Sequence, residues 1–180
     1  MDDAALATHW LDAARNLAVA AELEGVYAAV AAEIEARGPA CWASGRCCNF
    51  AKTGHRLYVT GLEAAYTVSR LATNAAREAS TSPLRVLGAA PRPPELTAAS
   101  LADARARGGC PFQVLNLCGA HAIRPLGCRV YFCDRSTQEW QRELSERAIE
   151  RIKSLHERRA IAYRYAEWRG LLELFIAARA

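Results

Sequence analysis

The residues of this sequence best suited to chemistry are seven cysteines, which fall into two bunches. The first bunch holds Cys41, Cys47 and Cys48, and the second holds Cys110, Cys118, Cys128 and Cys133. Thiols used only for packing would also occur along helical segments, yet no cysteine precedes position 41 or follows position 133. Cysteine thiolates bind zinc and iron–sulfur clusters. The distribution therefore predicts a shared metal site.

The spacing within both bunches resembles that of a known family. The first reads Cys41-x2-Ser44-x2-Cys47-Cys48, and the second contains Cys110-Pro111-Phe112, Cys118 and the run Arg124-Pro125-Leu126-Gly127-Cys128-Arg129-Val130-Tyr131-Phe132-Cys133. From about residue 41 to 133 this pattern resembles the YkgJ-type cysteine-cluster family, a zinc- or iron-chelating domain with the signature C-x2-C-x2-C-C. The resemblance implies binding of a metal ion or an iron–sulfur cluster. A related cluster accompanies lysine methylation of flagellin.

Two positions depart from the family pattern. Ser44 stands where the signature has its second cysteine, and a hydroxyl is a far poorer ligand than a thiolate for a soft metal. His121 stands three residues after Cys118, where the family has a tyrosine. An imidazole suits both zinc and iron, so His121 could replace the missing ligand. A lone histidine is more often a structural or surface group.

Four thiolates complete one zinc site or one iron–sulfur site, which leaves three cysteines for a second site or for packing. We expect the core ligands to be Cys47, Cys48, Cys128 and Cys133, with Cys41, Cys110 and Cys118 as second-site or reserve ligands. In an extended segment the adjacent side chains of Cys47 and Cys48 point to opposite sides, so they could serve different centres. Cys110 and Cys118 could instead be buried thiols in tight turns.

Three arginines adjoin the cysteines: Arg46, Arg124 and Arg129. Four thiolates around Zn²⁺ or around a [4Fe–4S]²⁺ core leave a net charge of about −2, and burial of that charge requires nearby donors or cations. We expect the three guanidinium groups to compensate it from the second coordination shell. The alternative is that they bind an anionic substrate.

The choice between zinc and an iron–sulfur cluster stays open. Structural zinc sites favour C-x2-C knuckles, and Ser44 interrupts the cleanest one here. Iron–sulfur clusters accept less regular spacings. Three functions compete. They are a metal-binding module with a structural or metal-handling role, an iron–sulfur component that assists an oxidoreductase or a protein methylation reaction, and a metal-free redox sensor with an exposed thiol of low pKa.

Composition limits the other possibilities. The chain has 180 residues, of which 52% are apolar, so we expect one domain over 1–180. The 23 basic and 19 acidic residues give a net charge of only +4, so nucleic-acid binding is not expected. Asp2 and Asp3 stand where a secretory signal has basic residues, and no apolar run reaches membrane-spanning length. We expect a cytoplasmic protein without a membrane partner, and a protein partner stays open.

The elements around the cysteines are predicted to be mostly helical. Apolar periodicity predicts a helix over 3–37, continuous or broken at Gly25, which ends at Gly38-Pro39. Thr60 and Glu63 have capping-box spacing, so a second helix should run from about 61 to 78. The prolines of 80–95 indicate a linker, and a short helix should cover 98–107.

The C-terminal part completes the predicted scaffold, which comprises 3–37 and 136–179. Residues 114–117 and 121–123 could pair as a small hairpin. A capping-box pattern at 136–139 begins a helix that should reach Arg159 or even Trp168, and Gly170 should separate it from a terminal helix that packs on the bundle or on a second copy. We expect a mostly α protein, a small helical bundle with long terminal helices and irregular cysteine-rich loops that carry at most a short hairpin.

Overall fold

The computed structural model describes residues 1–41, 44–72 and 93–178, and these are mostly helical as predicted. The helices are α1 (Asp3–Arg15), α2 (Leu17–Arg37), α3 (Phe50–Thr53), α4 (Gly61–Ala72), α5 (Ala98–Ala106), α6 (Leu126–Arg129), α7 (Gln138–Arg158) and α8 (Trp168–Ala177). The strands are β1 (Tyr58–Thr60), β2 (Gln113–Val114), β3 (Leu117–Cys118) and β4 (Tyr165–Glu167). The expected end of α4 near 78, and most of the proline-rich linker, lie outside the described residues.

The N-terminal helical segment breaks at Asn16 and not at Gly25. The backbone N–H of Asn16 donates to carbonyls at the end of α1, and its side-chain oxygen accepts from Ala18 and Val19 at the start of α2. One asparagine therefore caps both helices, since its short amide competes well with the helical backbone. Gly25 lies inside α2. The predicted stop at Gly38 is confirmed, because this residue has φ +63° and its N–H donates to Ile34.

The capping box that begins α4 is confirmed. The N–H of Thr60 donates to Glu63 Oε2 at 3.0 Å, and the N–H of Glu63 donates to Thr60 Oγ1 at 3.3 Å. Gly61 lies against the indole of Trp10, where a Cβ atom would come within 2.2 to 2.5 Å of the ring. This close approach is how α4 packs on α1. Trp10 is fully buried, and its Nε1 donates to the carbonyl of Ala162.

The C-terminal segment differs from its prediction at three places. The predicted capping box of Ser136 and Glu139 is not the one that begins α7, because Thr137 is the N-cap and the hydroxyl of Ser136 donates to the carboxylate of Asp134. The hydroxyl of Thr137 donates to the carbonyl of Asp134 and makes none of the described capping bonds. Helix α7 ends at Arg158, so that β4 can pair antiparallel with β1. Helix α8 begins at Trp168 and includes Gly170, whose N–H is capped by the side chain of Glu167.

Helix α8 packs on the bundle, which is one of its two predicted placements. Trp168, Leu171, Leu172 and Phe175 are buried, and the helix contacts α1 and α4. The ring of Phe175 lies 6.3 Å from that of Trp10, and the ring of Trp168 lies 6.0 Å from that of Phe112. Because Phe112 is 1% exposed and follows Cys110 closely, it anchors the second cysteine bunch to the helical core. No helix in the described ranges has the length and apolar character that a membrane crossing needs.

We expect the substitution Gly61→Ala to destabilise the protein by about 2 kcal/mol or more, because the new methyl group overlaps a buried indole. Gly25→Ala is the matched control, since Gly25 is exposed inside α2 and a Cβ atom there meets nothing within 4 Å. That control should raise the free energy of unfolding by about 0.5 to 1 kcal/mol. Urea denaturation of both variants measures the difference, and equal midpoints would contradict the packing of α4 on Trp10.

Candidate metal centre

Cys47 and Cys48 lie on a tight 3₁₀ turn, Arg46–Cys48, and not on the extended segment expected for them. The turn follows Gly45, which has φ +67°, and the N–H of Cys48 donates to its carbonyl at 3.1 Å. A Cβ atom on Gly45 would lie 2.5 Å from the carbonyl oxygen of Asn116. Only glycine therefore combines this backbone conformation with such close packing on the second bunch.

Backbone hydrogen bonds join the two cysteine bunches directly. The N–H of Cys110 donates to the carbonyl of Cys48 at 2.8 Å. The side-chain amide of Gln113 donates to the carbonyl of Gly45 at 3.0 Å, and the N–H of Ala51 donates to Gly108 at 2.8 Å. These bonds bring together segments that are about 60 residues apart in sequence, and they place both bunches in one site.

The small hairpin exists, but its partners differ from the prediction. Strand β2 pairs antiparallel with β3, so that Gln113 lies opposite Cys118, while 121–123 forms a 3₁₀ turn. Leu115 and Asn116 make the two-residue connection with φ of 48° and 65°, and positive φ at both positions is typical of tight hairpins. Leucine rarely adopts this conformation, which is why the sequence did not indicate the turn. The hairpin returns Cys118 to the neighbourhood of Cys110.

Four thiols meet at Cys48. The Cys48 side chain is 4% exposed, and hydrogen-bonding interactions with Cys110, Cys118 and Cys47, together with burial, raise its pKa far above the ordinary value for a thiol. We call these four residues the thiol group. All seven cysteines have free thiols. Cys110 and Cys118, which the sequence indicated only as reserve ligands, therefore belong to the centre of the site.

Two thiols of the thiol group have a lowered pKa. The pKa of Cys47 is lowered to about 7, first by the hydrogen bond from Cys48 and also by the positive charge of Arg124. The pKa of Cys118 is lowered by the same donor, by the N–H of Ala120 and by Arg124. Burial opposes both shifts. The protonated thiol of Cys48 thus donates toward two sulfurs whose pKa is lowered, and a thiol with a lowered pKa more readily becomes the thiolate that binds metal.

The other three cysteines have three different surroundings. Cys128 on α6 adjoins the thiol group, since burial and then the charges of Cys118, Cys110 and Cys47 raise its pKa well above normal. Cys133 instead lies beside Ser44, with its Sγ atom 3.2 Å from the hydroxyl oxygen. Cys41 is exposed. Of the four first-choice ligands, Cys47, Cys48 and Cys128 are brought together, and Cys133 is not part of the thiol group.

Arg124 and Arg129 lie beside the thiols without a carboxylate partner. Arg124 donates to the carbonyl of His121 and Arg129 to that of Ala122, both at 3.1 Å. The Nε atom of each guanidinium is buried and has no partner among the described residues. None of the ion pairs in the described ranges includes either arginine. By contrast, the side chain of Arg46 is exposed.

His121 lies on the 3₁₀ turn that leads to these arginines. Its pKa is lowered to about 4, first by burial and then by the positive charges of Arg124 and Arg129. The imidazole is therefore neutral near pH 7, which is the form that ligates metals. No interaction between His121 and the thiol group is observed in the described part of the chain. Its role as the replacement ligand stays a prediction.

A buried carboxylate, that of Glu63, fixes the position of the second bunch. Besides closing the N-terminus of α4, Glu63 Oε1 accepts from the N–H of Leu126 at 2.8 Å and from the hydroxyl of Tyr27 at 3.2 Å. The hydroxyl of Thr67 donates to the carbonyl of Ile123 at 2.9 Å. Helix α4 thus holds the segment that carries Arg124, Cys128 and Arg129. The capping box was visible in the sequence, but this long-range contact was not.

The thiol group is a set of thiols that influence one another's pKa around Cys48. Within the described ranges, no set of three or more histidine, cysteine, aspartate or glutamate side chains is arranged so that it could hold a metal ion as it stands. The donor chemistry nevertheless suits a soft metal, since several thiols converge and two of them have a lowered pKa. The two adjoining guanidinium groups also suit a centre with a net negative charge.

We expect Glu63→Gln to lower the free energy of unfolding by about 1 to 3 kcal/mol. Both carboxylate oxygens of Glu63 accept hydrogen bonds, and in the variant an NH₂ group, which cannot accept them, replaces one oxygen. Glu24→Gln is the control, since Glu24 accepts from Tyr66 and Arg70 at the surface and should cost less than about 1 kcal/mol. Chemical denaturation at neutral pH compares the two. A loss for Glu24→Gln as large as that for Glu63→Gln would argue against the proposed role of Glu63.

A comparison of the wild type with Glu63→Gln gives a prediction about how stability depends on pH. Burial is the largest influence on Glu63 and raises its pKa above 4.5, against the donors that lower it. The folded protein therefore binds this proton more tightly than the unfolded chain, and the resulting stability is lost as the pH rises from about 4.5 through the raised value. The stability difference between the wild type and Glu63→Gln should shrink over that interval. A difference that grows with pH would contradict the raised pKa.

Comparisons with other proteins add no independent indication of function. No family model, curated protein or solved structure matches this chain. The resemblance to the YkgJ-type cysteine-cluster family therefore stays a prediction that depends on the spacing of the cysteines and their neighbours. The functional argument depends on the thiol group, on Cys128 and on the two buried guanidinium groups.

Proposed function

We propose that this protein binds one zinc ion or one iron–sulfur cluster through Cys47, Cys48, Cys110 and Cys118. The observation that carries the proposal is the convergence of three thiols on the buried thiol of Cys48. Cys128 lies next to this group as a fifth thiol. It is the first candidate to replace one of the four.

The protonation of the thiol group supports this proposal. Metal ligation requires thiolates, so binding releases protons from the site. Cys47 and Cys118 already have lowered pKa values, whereas Cys48 keeps a proton that it shares with its neighbours. A cation at the centre replaces that shared proton as the positive charge between the sulfurs.

The four proposed ligands lie on loops whose backbones are joined by hydrogen bonds. The backbone of both bunches is fixed by the bonds between Cys110 and Cys48 and between Gln113 and Gly45. The proposed site thus uses loops whose relative position is already determined.

The two buried guanidinium groups support a negatively charged centre. Four thiolates with Zn²⁺ or [4Fe–4S]²⁺ have a net charge of about −2, and Arg124 and Arg129 together carry two positive charges. Their Nε–H groups have no partner among the described residues, and buried donors without partners are uncommon in folded proteins. A metal–thiolate centre supplies the missing negative charge. This favours charge compensation over an anionic substrate as the role of the two arginines.

The proposed role is structural or metal-handling. A bound zinc ion would stabilise the cysteine loops, and an iron–sulfur cluster would in addition carry electrons for a partner oxidoreductase or a protein methylation reaction. The same thiol group could hold either centre, so metal analysis distinguishes them. A cytoplasmic location belongs to this proposal, because a reducing compartment keeps thiols available for a metal.

Anaerobic purification with elemental analysis tests the proposal. We expect either about one zinc per chain in a colourless protein or about four irons with visible absorption that dithionite bleaches. Cys48→Ser should lose most of the metal, whereas Cys41→Ser should retain it, because Cys41 is exposed and outside the thiol group. Circular dichroism checks that both variants are folded.

Two results would contradict the proposal. One is a wild-type protein that stays folded and metal-free after expression with added zinc and iron. The other is equal metal loss in the Cys41 and Cys48 variants. Zinc in a colourless protein would exclude the iron–sulfur alternative.

The role of Arg124 has its own test. Arg124→Gln should weaken metal affinity about 10- to 100-fold, because it removes a buried cation next to Cys47 and Cys118. Arg46→Gln is the control, since Arg46 is exposed, and it should change the affinity little. Competition with a chromogenic chelator measures both affinities. Equal losses of metal affinity in the two variants would contradict the proposed charge compensation by Arg124.

A further inference from the structure

Residues 159–164, which join α7 to β4, are held to the helices at two points, and the first is His156. We call these residues the connecting segment. Both backbone polar groups of Ile161 bind His156. The N–H of Ile161 donates to the carbonyl of His156 at 2.8 Å, and the carbonyl of Ile161 lies 3.2 Å from Nδ1 of the His156 ring. Because a carbonyl only accepts hydrogen bonds, Nδ1 carries a proton and donates.

The second point is Ala162, whose two backbone polar groups bind α1. Its N–H donates to Nε2 of His9 at 3.1 Å, and its carbonyl accepts from Nε1 of Trp10 at 2.7 Å. Earlier in the connecting segment, Ala160 has φ 50°, a conformation that residues with a side chain rarely adopt. The turn therefore depends on the contacts that hold it, and two of these contacts use histidine rings.

The hydrogen bonds fix which ring nitrogens carry protons. Nε2 of His9 accepts from an N–H, so it has no proton, and an imidazolium with N–H groups on both nitrogens could not accept that bond. His156 has its proton on Nδ1, so Nε2 of the neutral ring is unprotonated. That Nε2 atom is buried and has no partner among the described residues. Protonation would create a buried donor without an acceptor, which is costly.

The surroundings of His156, which is 2% exposed, do not offset a positive charge. Burial lowers its pKa below the ordinary value of 6.5, the carbonyls of Ile161 and Ala162 oppose this shift, and the charge of His9 adds to it. The ring of Tyr163 lies 5.2 Å from that of His156 and is neutral, since burial raises the pKa of its hydroxyl. The other charged groups of α1, α2, α4 and α7 in this region have different contacts or lie at the surface; they are Asp3 paired with Arg164, Glu22 with Arg158 and Arg159, Glu63 with Tyr27 and Leu126, Glu150 with Lys153, and the exposed Glu157.

We propose that His9 and His156 form an acid-sensitive latch, which holds the connecting segment on α1 and α7 while both rings are neutral and releases it when they are protonated. Protonation of His9 removes the acceptor for the N–H of Ala162. Protonation of His156 places an unpaired charge in the core, whereas in the released form water solvates it. The latch uses neither the cysteines nor the arginines beside them, so it does not depend on the proposed metal centre.

The direction of the pH effect follows from the lowered pKa of His156. The released form binds the proton more tightly than the latched form, so the latch is most stable above pH 6.5 and is lost as the pH falls from about 6.5 toward the lowered value. Release frees the chain just before β4, which pairs with β1. The helices need not unfold for this to happen.

Hydrogen exchange measured by mass spectrometry on the purified full chain tests the latch. After correction for the intrinsic exchange rate, we expect the equilibrium constant for opening of the connecting segment to be about fivefold or more higher at pH 5 than at pH 7. At pH 5 the segment should also exchange faster than the buried middle of α2, because its release leaves the helices folded. No increase at pH 5, or exchange as slow as that of α2, would overturn the latch.

Two substitutions remove the titrating rings and keep the hydrogen bonds. His9→Gln retains an acceptor for the N–H of Ala162, and His156→Asn retains a donor for the carbonyl of Ile161. In the double variant, opening of the connecting segment should change less than about twofold between pH 7 and pH 5. A double variant that opens as strongly with acid as the wild type would overturn the proposal.

His55→Gln is the matched control, because it removes a histidine that packs elsewhere. The ring of His55 lies 5.3 Å from that of Phe50 and 5.0 Å from that of Tyr131, near the cysteine loops. This variant should keep the full pH dependence of the connecting segment. Loss of that dependence in His55→Gln would overturn its assignment to His9 and His156.

Discussion

The buried carboxylate of Glu63 is the interaction on which the cysteine loops depend. It is 1% exposed, and such a group is tolerated only where donors surround it. Two of its donors come from Thr60, which begins α4, while Tyr27 belongs to α2 and Leu126 to α6. One side chain thus ties two scaffold helices to α6, which carries Cys128. The close packing of Gly61 on Trp10 places the same end of α4 against α1.

Charge links this scaffold to the thiol group. The guanidinium of Arg129 lies 4.0 Å above the ring of Tyr27, a cation–π contact that offsets part of its desolvation, and the hydroxyl of Tyr27 donates to Glu63. Burial still lowers the pKa of Arg129, and the positive charge of Arg124 acts in the same direction. The fold therefore maintains two adjoining cations beside several thiols. A metal–thiolate centre with a net negative charge would suit these two cations.

The seven cysteines do not all share one environment. Five of them meet where a 3₁₀ turn, a tight hairpin and α6 converge, and backbone bonds such as that from Cys110 to Cys48 keep them together. Of the remaining two, Cys133 lies beside Ser44 and Cys41 is exposed. Ser44, which departs from the family-like spacing, is therefore in contact with Cys133 and not with the thiol group.

The sequence alone determined the local features, because these depend on residues close together in the chain. The capping box of Thr60 and Glu63, the stop at Gly38, the apolar face of α7 with its buried Leu144 and Ile152, and the mostly α character were all predictable. The clustering of cysteines was equally visible. Tertiary structure alone decided that Cys110 and Cys118 join Cys47 and Cys48, that Cys133 does not, and that Glu63 binds Leu126. It also decided the pairing of β1 with β4. These contacts join segments far apart in sequence, and they depend on backbone turns, such as the positive φ of Leu115, that residue types do not indicate.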